Sequence, residues 1–386
     1  MSENHDYNQE ALDLHREFGG KLETVSKLKL DNKEALSRAY TPGVAAVCNA
    51  IAADKSLDKF LTLKKNTVAI VSDGSAILGL GNLGASASIP VMEGKAAILK
   101  EFAGVDAFPI CIDTQDTEEI IKIVKNIAPV FGGINLEDIA SPKCFEIEER
   151  LRAELDIPVM HDDQWGAATV ALAAFINSIK LAEKKKEDVR VVLSGVGAAG
   201  VATARLLNAY GVKNIIYVDS KGIINQSRTD LNKEKLELLN NSNIKNLSGD
   251  LAEAVSGADV FIGLSKPNVL TIDMVKTMNS GPIIFGLANP TPEIMPELAH
   301  EAGAFIVATG RSDYPNQINN SLVFPGFWRG VLDAQQSGTY KKIELETFVK
   351  IGEALASYVT DLRPDNILPN MFDREVVKVI SDMVSK

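Results

Sequence analysis

The sequence predicts an α/β protein of two domains, and three observations support this prediction. The chain has 386 residues, of which 46% are hydrophobic, which is more than a single core usually accommodates. Short apolar runs of strand length alternate with helical patterns, as is typical of parallel sheets covered by helices. The charged segment 183–188 precedes a second series of strands. We place the boundary near residue 160, with domains at 1–160 and 161–386.

The predicted elements of the first domain begin with an amphipathic helix within residues 10–36. The turn signal Tyr40-Thr41-Pro42-Gly43 follows, and a β-branched run at 67–71 predicts the first strand. A second strand is predicted at 108–112 and a helix at 116–127. Strands that alternate with helices in this order favour a parallel sheet.

The second half of the chain shows the same alternation more clearly. A helix rich in small residues is predicted at 165–183, and the segment after residue 340 has a helical pattern. Between them lie apolar runs that predict strands at 189–193, 215–218, 260–264, 283–287 and 305–308. This pattern predicts a doubly wound sheet with C-terminal helices.

Composition argues against several classes of partner. With 40 basic and 51 acidic residues the net charge is −11, and the only basic block is Lys184-Lys185-Lys186, so we expect no nucleic-acid or membrane partner. The three cysteines are far apart, which is typical of reduced intracellular thiols. The N-terminus is polar and acidic and does not resemble a targeting signal. We therefore expect a soluble cytoplasmic protein.

A glycine-rich motif predicts a dinucleotide site in the second domain. It follows the strand at 189–193 and opens a helix, and the next strand ends at Asp219. In such a motif the first glycine makes the turn, the second admits the pyrophosphate, and the third packs helix on strand. The helix N-terminus offers unpaired N–H groups to the phosphates. The residues of this motif are Gly195, Val196, Gly197, Ala198, Ala199 and Gly200.

Asp219 favours NAD, because a carboxylate at the end of this strand accepts from the ribose hydroxyls and repels a 2′-phosphate. Lys221 follows closely and could screen such a phosphate, so NADP stays possible. A glycine-rich turn without a ligand is the alternative for the motif. A second match, residues 79–84, has no helix-plus-acid unit after it in the proper frame, and we interpret it as a structural or substrate-side loop.

Two acidic pairs, Glu137-Asp138 and Asp162-Asp163, each follow an apolar run and precede a helix. Hard oxygen ligands without a Cys or His quartet suit Mg²⁺ or Mn²⁺ better than zinc. Helix capping is the commoner role of an isolated pair, and the spacing alone does not decide between the two.

Several longer motifs in one order resemble those of the malic enzymes, in particular the short prokaryotic form. The resemblance extends from about Tyr40 to about Gly330. The motifs are Tyr40-Thr41-Pro42-Gly43-Val44, Gly79-Leu80-Gly81-Asn82-Leu83-Gly84, Pro90-Val91-Met92-Glu93-Gly94-Lys95, the segment from Phe131 to Asp138, His161-Asp162-Asp163-Gln164, the segment from Ala288 to Glu293, and the segment from Asn319 to Gly326.

The resemblance implies a substrate-binding first domain, a Rossmann-type dinucleotide-binding second domain, and oxidative decarboxylation of malate, a C4 dicarboxylate, by a homodimer. It also implies roles for single residues, each matched to a family motif. The implied roles are general base for Lys95, proton donor for Tyr40, metal ligand for Glu137, Asp138 and Asp163, neighbour of the metal site for Asp162, cofactor and substrate binding for Asn289, and substrate binding for Asn320.

These roles make chemical demands. Lys95 would take the C2 hydroxyl proton, which requires its pKa to fall by roughly 2–3 units from about 10.4. A nearby metal charge and desolvation can provide this. Tyr40 would then protonate C3.

Two departures from the family pattern concern the edge of the site. Trp165 stands where relatives usually carry a smaller or polar residue. Ala76 stands where larger members place a substrate-binding arginine, so the carboxylate anchor is unassigned and Arg311 is one candidate. His161 is a candidate ligand, with a packed role as its alternative.

Three other functions fit parts of the pattern. A metal-dependent oxaloacetate decarboxylase on the same scaffold would not use the dinucleotide motif for hydride transfer. An amino-acid dehydrogenase would need no metal carboxylates. A non-catalytic NAD-responsive protein would need neither Tyr40 nor Lys95.

Overall fold

The computed structural model describes residues 6–77, 79–240, 246–340 and 342–385. The helices of these ranges are α1 (Tyr7–Phe18), α2 (Lys33–Ala39), α3 (Val44–Ala53), α4 (Asp58–Leu61), α5 (Ala85–Ala103), α6 (Thr117–Ile127), α7 (Lys143–Glu154), α8 (Asp162–Leu181), α9 (Ala198–Tyr210), α10 (Lys233–Leu239), α11 (Leu251–Val255), α12 (Ile272–Lys276), α13 (Pro296–Glu301), α14 (Phe324–Ser337), α15 (Leu345–Tyr358) and α16 (Arg374–Ser385). The strands are β1 (Thr67–Ser72), β2 (Asp106–Cys111), β3 (Gly133–Leu136), β4 (Val159–His161), β5 (Arg190–Ser194), β6 (Asn214–Asp219), β7 (Gly222–Ile223), β8 (Val260–Gly263), β9 (Ile283–Gly286) and β10 (Ile306–Thr309).

The first sheet has the strand order β2-β1-β3-β4, and all of its pairings are parallel. Every residue of β1 is buried, as expected for an interior strand that helices cover on both faces. The carboxyl ends of these strands lie at one edge of the sheet, and the loops after β3 and β4 begin there. This edge carries the acidic residues considered below.

The second sheet has the order β10-β9-β8-β5-β6-β7. β5 pairs in parallel with both β6 and β8, so the strand order reverses beside β5. A crevice at such a reversal is where open α/β sheets bind ligands. The predicted doubly wound sheet is therefore confirmed. The added strand β7 is antiparallel to β6.

Helix α8 connects the two sheets. Most of its residues are buried, and it packs against α9 and α15. The C-terminal helices also return to the first sheet: α14 contacts α5, and the indole of Trp328 fills the space above Gly133. The site at the edge of the first sheet is thus framed by elements from both halves of the chain.

The single helix predicted within residues 10–36 is wrong. α1 ends at Phe18, where Gly19 adopts a left-handed conformation, and α2 begins only after Asn32 caps its N-terminus. Glycine favours such a helix end, and the asparagine side chain satisfies a free N–H at the next start. Within the described residues, no helix is long and apolar enough to cross a membrane.

Candidate active site

Three carboxylates meet at the carboxyl edge of the first sheet. Glu137 and Asp138 follow β3, and Asp163 lies in the first turn of α8, directly after β4. One oxygen of each lies within 4.8 Å of the others. The structure therefore brings together the three residues that the resemblance assigns to a metal.

Backbone contacts fix this cluster. Asp138 has a left-handed conformation (φ 53°), and its amide donates to Asp163 Oδ2 at 2.7 Å. Its carbonyl accepts from the amide of Ala76 at 3.0 Å. Asn135 Nδ2 donates to Glu137 Oε2 at 3.0 Å. The other carboxylate oxygen, Glu137 Oε1, faces Lys95.

Lys95 contributes a buried ammonium group beside the carboxylates. Its Nζ lies 2.8 Å from Glu137 Oε1, forms an ion pair with Asp162, and lies 4.5 Å from the centre of the Phe324 ring. Burial alone would lower the pKa of Lys95, but the charges of Asp162 and Glu137 outweigh burial and raise this pKa above its ordinary value. This is the reverse of the direction that a general base near neutral pH requires.

Asp162 is the second acidic partner of Lys95. Its carboxylate is fully buried, and Oδ2 accepts from the Lys95 ammonium and from Asn320 Nδ2, the latter at 2.7 Å. Asp162 does not belong to the three-carboxylate cluster, in keeping with its expected place as a neighbour. His161 is also fully buried, with Nε2 at 3.5 Å from Asp163 Oδ2, and burial lowers its pKa, which favours the neutral ring.

The cluster fits a divalent cation. Burial raises the pKa of Glu137 well above its ordinary value, and although Lys95 opposes this, Asp163 and Asp162 add to it. Burial likewise raises the pKa of Asp162, and a further positive charge at the three-carboxylate cluster would favour the ionised forms of Glu137 and Asp162. Convergent carboxylate oxygens are the ligands that Mg²⁺ and Mn²⁺ prefer.

The dinucleotide motif has the geometry that its glycines predict. Gly195 has φ 100°, and a side chain there would collide with the carbonyl of Leu264. A side chain at Gly200 would collide with the carbonyl of Gly195. Among the described residues outside its own helix, the atom nearest to a side chain at Gly197 would be Ser141 Oγ, at 3.8 Å, so the approach to the start of α9 is open there. Ala198 and Ala199 form the first turn of that helix.

Asp219 stands at the end of β6, as predicted, but two cations hold it. Arg228 donates to both of its oxygens, at 2.7 and 3.0 Å, and Lys235 donates at 2.7 Å. Burial alone would raise the pKa of Asp219, but these hydrogen bonds outweigh it and lower this pKa to about 2. Lys221, the cation that the sequence suggested, forms its ion pair with Asp230 at 2.8 Å.

The two predicted asparagines lie in different surroundings. Asn320 is tied to Asp162 and so belongs to the site around Lys95. Asn289 is exposed, and its backbone lies against Gly79 of the second glycine-rich loop. That loop is followed directly by α5, and its interpretation as a structural or substrate-side loop stays a prediction. Arg311 is paired with Asp313 at 2.6 Å.

Tyr40 stays apart from this network. It ends α2, and 67% of it is exposed. Among the described residues, no hydrogen bond joins its hydroxyl to Lys95 or to the carboxylates. Its role as proton donor stays a prediction.

Sequence reasoning missed three residues near the two sites: Glu148, Arg228 and Lys235. Glu148 carried a signal, because Cys144, Glu148 and Leu151 share one helical face that is otherwise apolar. Arg228 and Lys235 carried none, because the loop after β7 and the start of α10, which bring them to Asp219, have no distinctive sequence pattern.

Comparisons with known proteins cover nearly the whole chain. Residues 19–152 match the family model described as malic enzyme, N-terminal domain, and residues 165–386 match malic enzyme, NAD binding domain. An NAD-dependent malic enzyme of Geobacillus stearothermophilus is 55% identical over 95% of this chain and 76% of that protein. A bifunctional malic/malolactic enzyme of Bacillus subtilis is 48% identical over 98% of this chain and 92% of that protein. A crystal structure of an NAD-dependent malic enzyme from Thermotoga maritima superposes with a TM-score of 0.94, at 50% identity over 97% of this chain and 98% of that one.

Proposed function

The chain belongs to the malic enzyme family, and we propose on this basis that it oxidises and decarboxylates (S)-malate to pyruvate and CO₂. The activity is that of an NAD(P)-dependent malate oxidoreductase, since the relatives of this chain include both NAD-dependent and NADP-dependent malic enzymes. The requirement for Mg²⁺ or Mn²⁺ and the roles of single residues are the finer parts of the proposal.

One observation carries the proposal: Lys95 Nζ lies 2.8 Å from Glu137 Oε1, and Glu137 is one of three carboxylates within 4.8 Å. A base that accepts a hydroxyl proton must be close to the group that polarises the same hydroxyl. Lys95 and the proposed cation site share Glu137, so one C2 oxygen can be in reach of both.

In the proposed reaction, the residues of the site have separate roles. Lys95 Nζ accepts the proton of the C2 hydroxyl while hydride leaves C2 for the nicotinamide. Asp162 orients Lys95 and stabilises the ammonium that forms, and Asn320 holds Asp162 in turn. Glu137, Asp138 and Asp163 would hold the divalent cation, and Asn289 and Asn320 would bind the substrate.

A bound divalent cation would supply two effects: it would offset the acidic charge that keeps Lys95 protonated, and it would stabilise the negative charge that develops on the C2 oxygen when CO₂ leaves. Tyr40 would donate the proton that C3 then needs.

NAD is the proposed cofactor, with NADP possible. The end of β6 carries an acid that suits a ribose diol. The contacts of Arg228 and Lys235 partly neutralise this acid and weaken its repulsion of a 2′-phosphate.

A second candidate is decarboxylation of oxaloacetate, which would use the same carboxylates and Lys95 without hydride transfer. The open start of α9 beside Gly197 favours the complete oxidative reaction. An assay that yields pyruvate from oxaloacetate, but no NADH and no pyruvate from malate with NAD, would establish the alternative.

We further propose a cytoplasmic homodimer. The helices α1 to α4 contain no buried residue, and many of their large apolar side chains are exposed. Exposed apolar surface of this extent is typical of a protein interface, and a second copy of this chain is the simplest partner to bury it. Light scattering at several protein concentrations tests the dimer, and Phe18→Glu, in an exposed position of α1, is expected to shift it to monomer.

The enzymatic proposal is tested by following NADH and pyruvate together with malate, with and without chelator. Asp163→Asn is expected to lower Mn²⁺ affinity and activity together, whereas Asp156→Asn, an exposed acid before β4, should change neither. Activity that survives exhaustive chelation, or unchanged Mn²⁺ affinity in Asp163→Asn, would contradict the assignment.

A further inference from the structure

Glu148 is a buried carboxylate in the middle of α7 that the proposed reaction does not use. Its Oε1 accepts from the backbone amide of His161 at 3.1 Å and from the indole Nε1 of Trp165 at 2.8 Å. Its Oε2 accepts from Gln164 Nε2 at 2.9 Å. All three donors therefore come from the segment where β4 ends and α8 begins.

These donors lie on both sides of two important residues. Asp162 and Asp163 lie between His161 and Gln164 in the chain. Asp162 forms the ion pair with Lys95, and Asp163 belongs to the three-carboxylate cluster. His161, at the start of α8, makes no side-chain capping bond to that helix. Glu148 thus adds, from another helix, three contacts at the ends of this turn, beside those that Lys95, Asn320 and Asp138 make to Asp162 and Asp163.

Gln164 and Trp165 are both buried, with 1% and 6% of their surface exposed. A cavity of about 430 Å³ borders Glu148, and its lining includes Gln164 and Trp165. Trp165 is supported on another side by the ring of Phe348, with 5.0 Å between centres. Because the Gln164 amide and the Trp165 indole N–H are withdrawn from water, they depend on Glu148 as their acceptor.

We propose that Glu148 is a positioning residue for the cation site: by holding both ends of the segment 161–165, it sets the direction of the Asp163 carboxylate. The inference rests on the proposed role of Asp163 as a ligand. Helix α7 begins shortly after Asp138 in the chain, so Glu148 also ties the loop that carries Glu137 and Asp138 to the turn that carries Asp163.

The chemistry predicts a difference between two substitutions. In Glu148→Gln the remaining oxygen can accept from His161 and Trp165, while the new NH₂ group can donate to Gln164 after that amide rotates by 180°. In Glu148→Leu no acceptor remains, and the buried indole and amide N–H groups lose their partner. A role in positioning therefore predicts that Mn²⁺ binding is retained in Glu148→Gln and weakened in Glu148→Leu.

The test is Mn²⁺ binding to the full-length protein, measured by electron paramagnetic resonance without substrate, together with NADH binding by fluorescence. Glu148→Leu is expected to weaken Mn²⁺ binding at least 10-fold with NADH affinity within twofold, and Glu148→Gln to stay within threefold of wild type. Glu149→Gln, an exposed glutamate of the same helix, is the matched control and should behave as wild type.

Trp165→Phe removes a single donor and keeps an aromatic ring against Phe348, so it tests the inference even if Glu148→Leu does not fold. We expect a threefold or greater loss of Mn²⁺ affinity. Wild-type Mn²⁺ affinity in both Glu148→Leu and Trp165→Phe would overturn the inference, as would equal losses in the glutamine and leucine variants. If Asp163→Asn also bound Mn²⁺ normally, the proposed cation site itself would be wrong, which separates the two failures.

Discussion

Asn320 and Asp162 form a hydrogen bond of 2.7 Å across 158 positions of the chain. The same Asp162 oxygen accepts from Lys95, so a residue just before α14 helps to orient the proposed base on α5. The site therefore depends on contacts between distant segments of the chain.

Lys95→Ala is expected to lower kcat for malate oxidation by at least about 10³-fold, because general-base catalysis contributes roughly 10²–10⁴-fold and the substitution also removes the buried charge that balances the acids. NADH affinity should stay within twofold, as the dinucleotide motif lies on a different sheet. Stopped-flow oxidation and fluorescence titration measure the two. Lys100→Ala, an exposed lysine of the same helix, is the control, and loss of NADH binding in Lys95→Ala would contradict the role.

Tyr40→Phe is expected to separate the two halves of the reaction. If the hydroxyl protonates C3, pyruvate formation should fall about 10²-fold or more, while the reduction of oxaloacetate by NADH changes by a few-fold only. Both rates are measured on the same preparation. Tyr7→Phe, an exposed tyrosine of α1, serves as the control. Equal losses in both rates would remove Tyr40 from the role of proton donor.

Asp219→Ser is expected to shift cofactor preference toward NADP. Removal of the carboxylate releases Arg228 and Lys235, which can then bind a 2′-phosphate. The ratio of kcat/KM for NADP to that for NAD should rise at least about 10-fold, a change of about 1.4 kcal/mol in relative transition-state binding. Asp230→Ser, which removes the neighbouring acid, should change the ratio less. An unchanged ratio in Asp219→Ser would show that this strand end does not select the cofactor.

The pH dependence of stability should report on Glu148. Burial raises the pKa of this carboxyl to about 7, above the value of about 4.3 expected in the unfolded chain. The native protein binds more protons than the unfolded chain between these values, so this group lowers the free energy of unfolding as pH rises.

The glutamine in Glu148→Gln cannot titrate. The free energy of unfolding of this variant, relative to that of wild type, should therefore rise by about 2 kcal/mol between about pH 5.5 and about pH 8. Urea denaturation at both pH values measures the gap. Glu149→Gln, at an exposed position of the same helix, serves as the control at both pH values. A gap between Glu148→Gln and wild type that stays constant would show that Glu148 has an ordinary pKa.

The sequence by itself determined the parts of this protein that are local. The glycines at 195, 197 and 200 and the acid at 219 lie in one strand–helix–strand unit, so their spacing alone predicts the dinucleotide site, and the structure has the turn, the open approach and the helix that this spacing demands. The apolar runs likewise predicted strands that the structure has within one or two residues.

Only the tertiary structure decided which side chains meet. Spacing could not tell whether Glu137, Asp138 and Asp163 cap helices or converge; parallel pairing of β3 with β4 brings them together. The same holds for the ion pair of Lys95 with Asp162 and for the cations that hold Asp219. The physical reason is that hydrogen bonds and charge pairs act over a few ångströms in space, whereas the sequence records distance only along the chain.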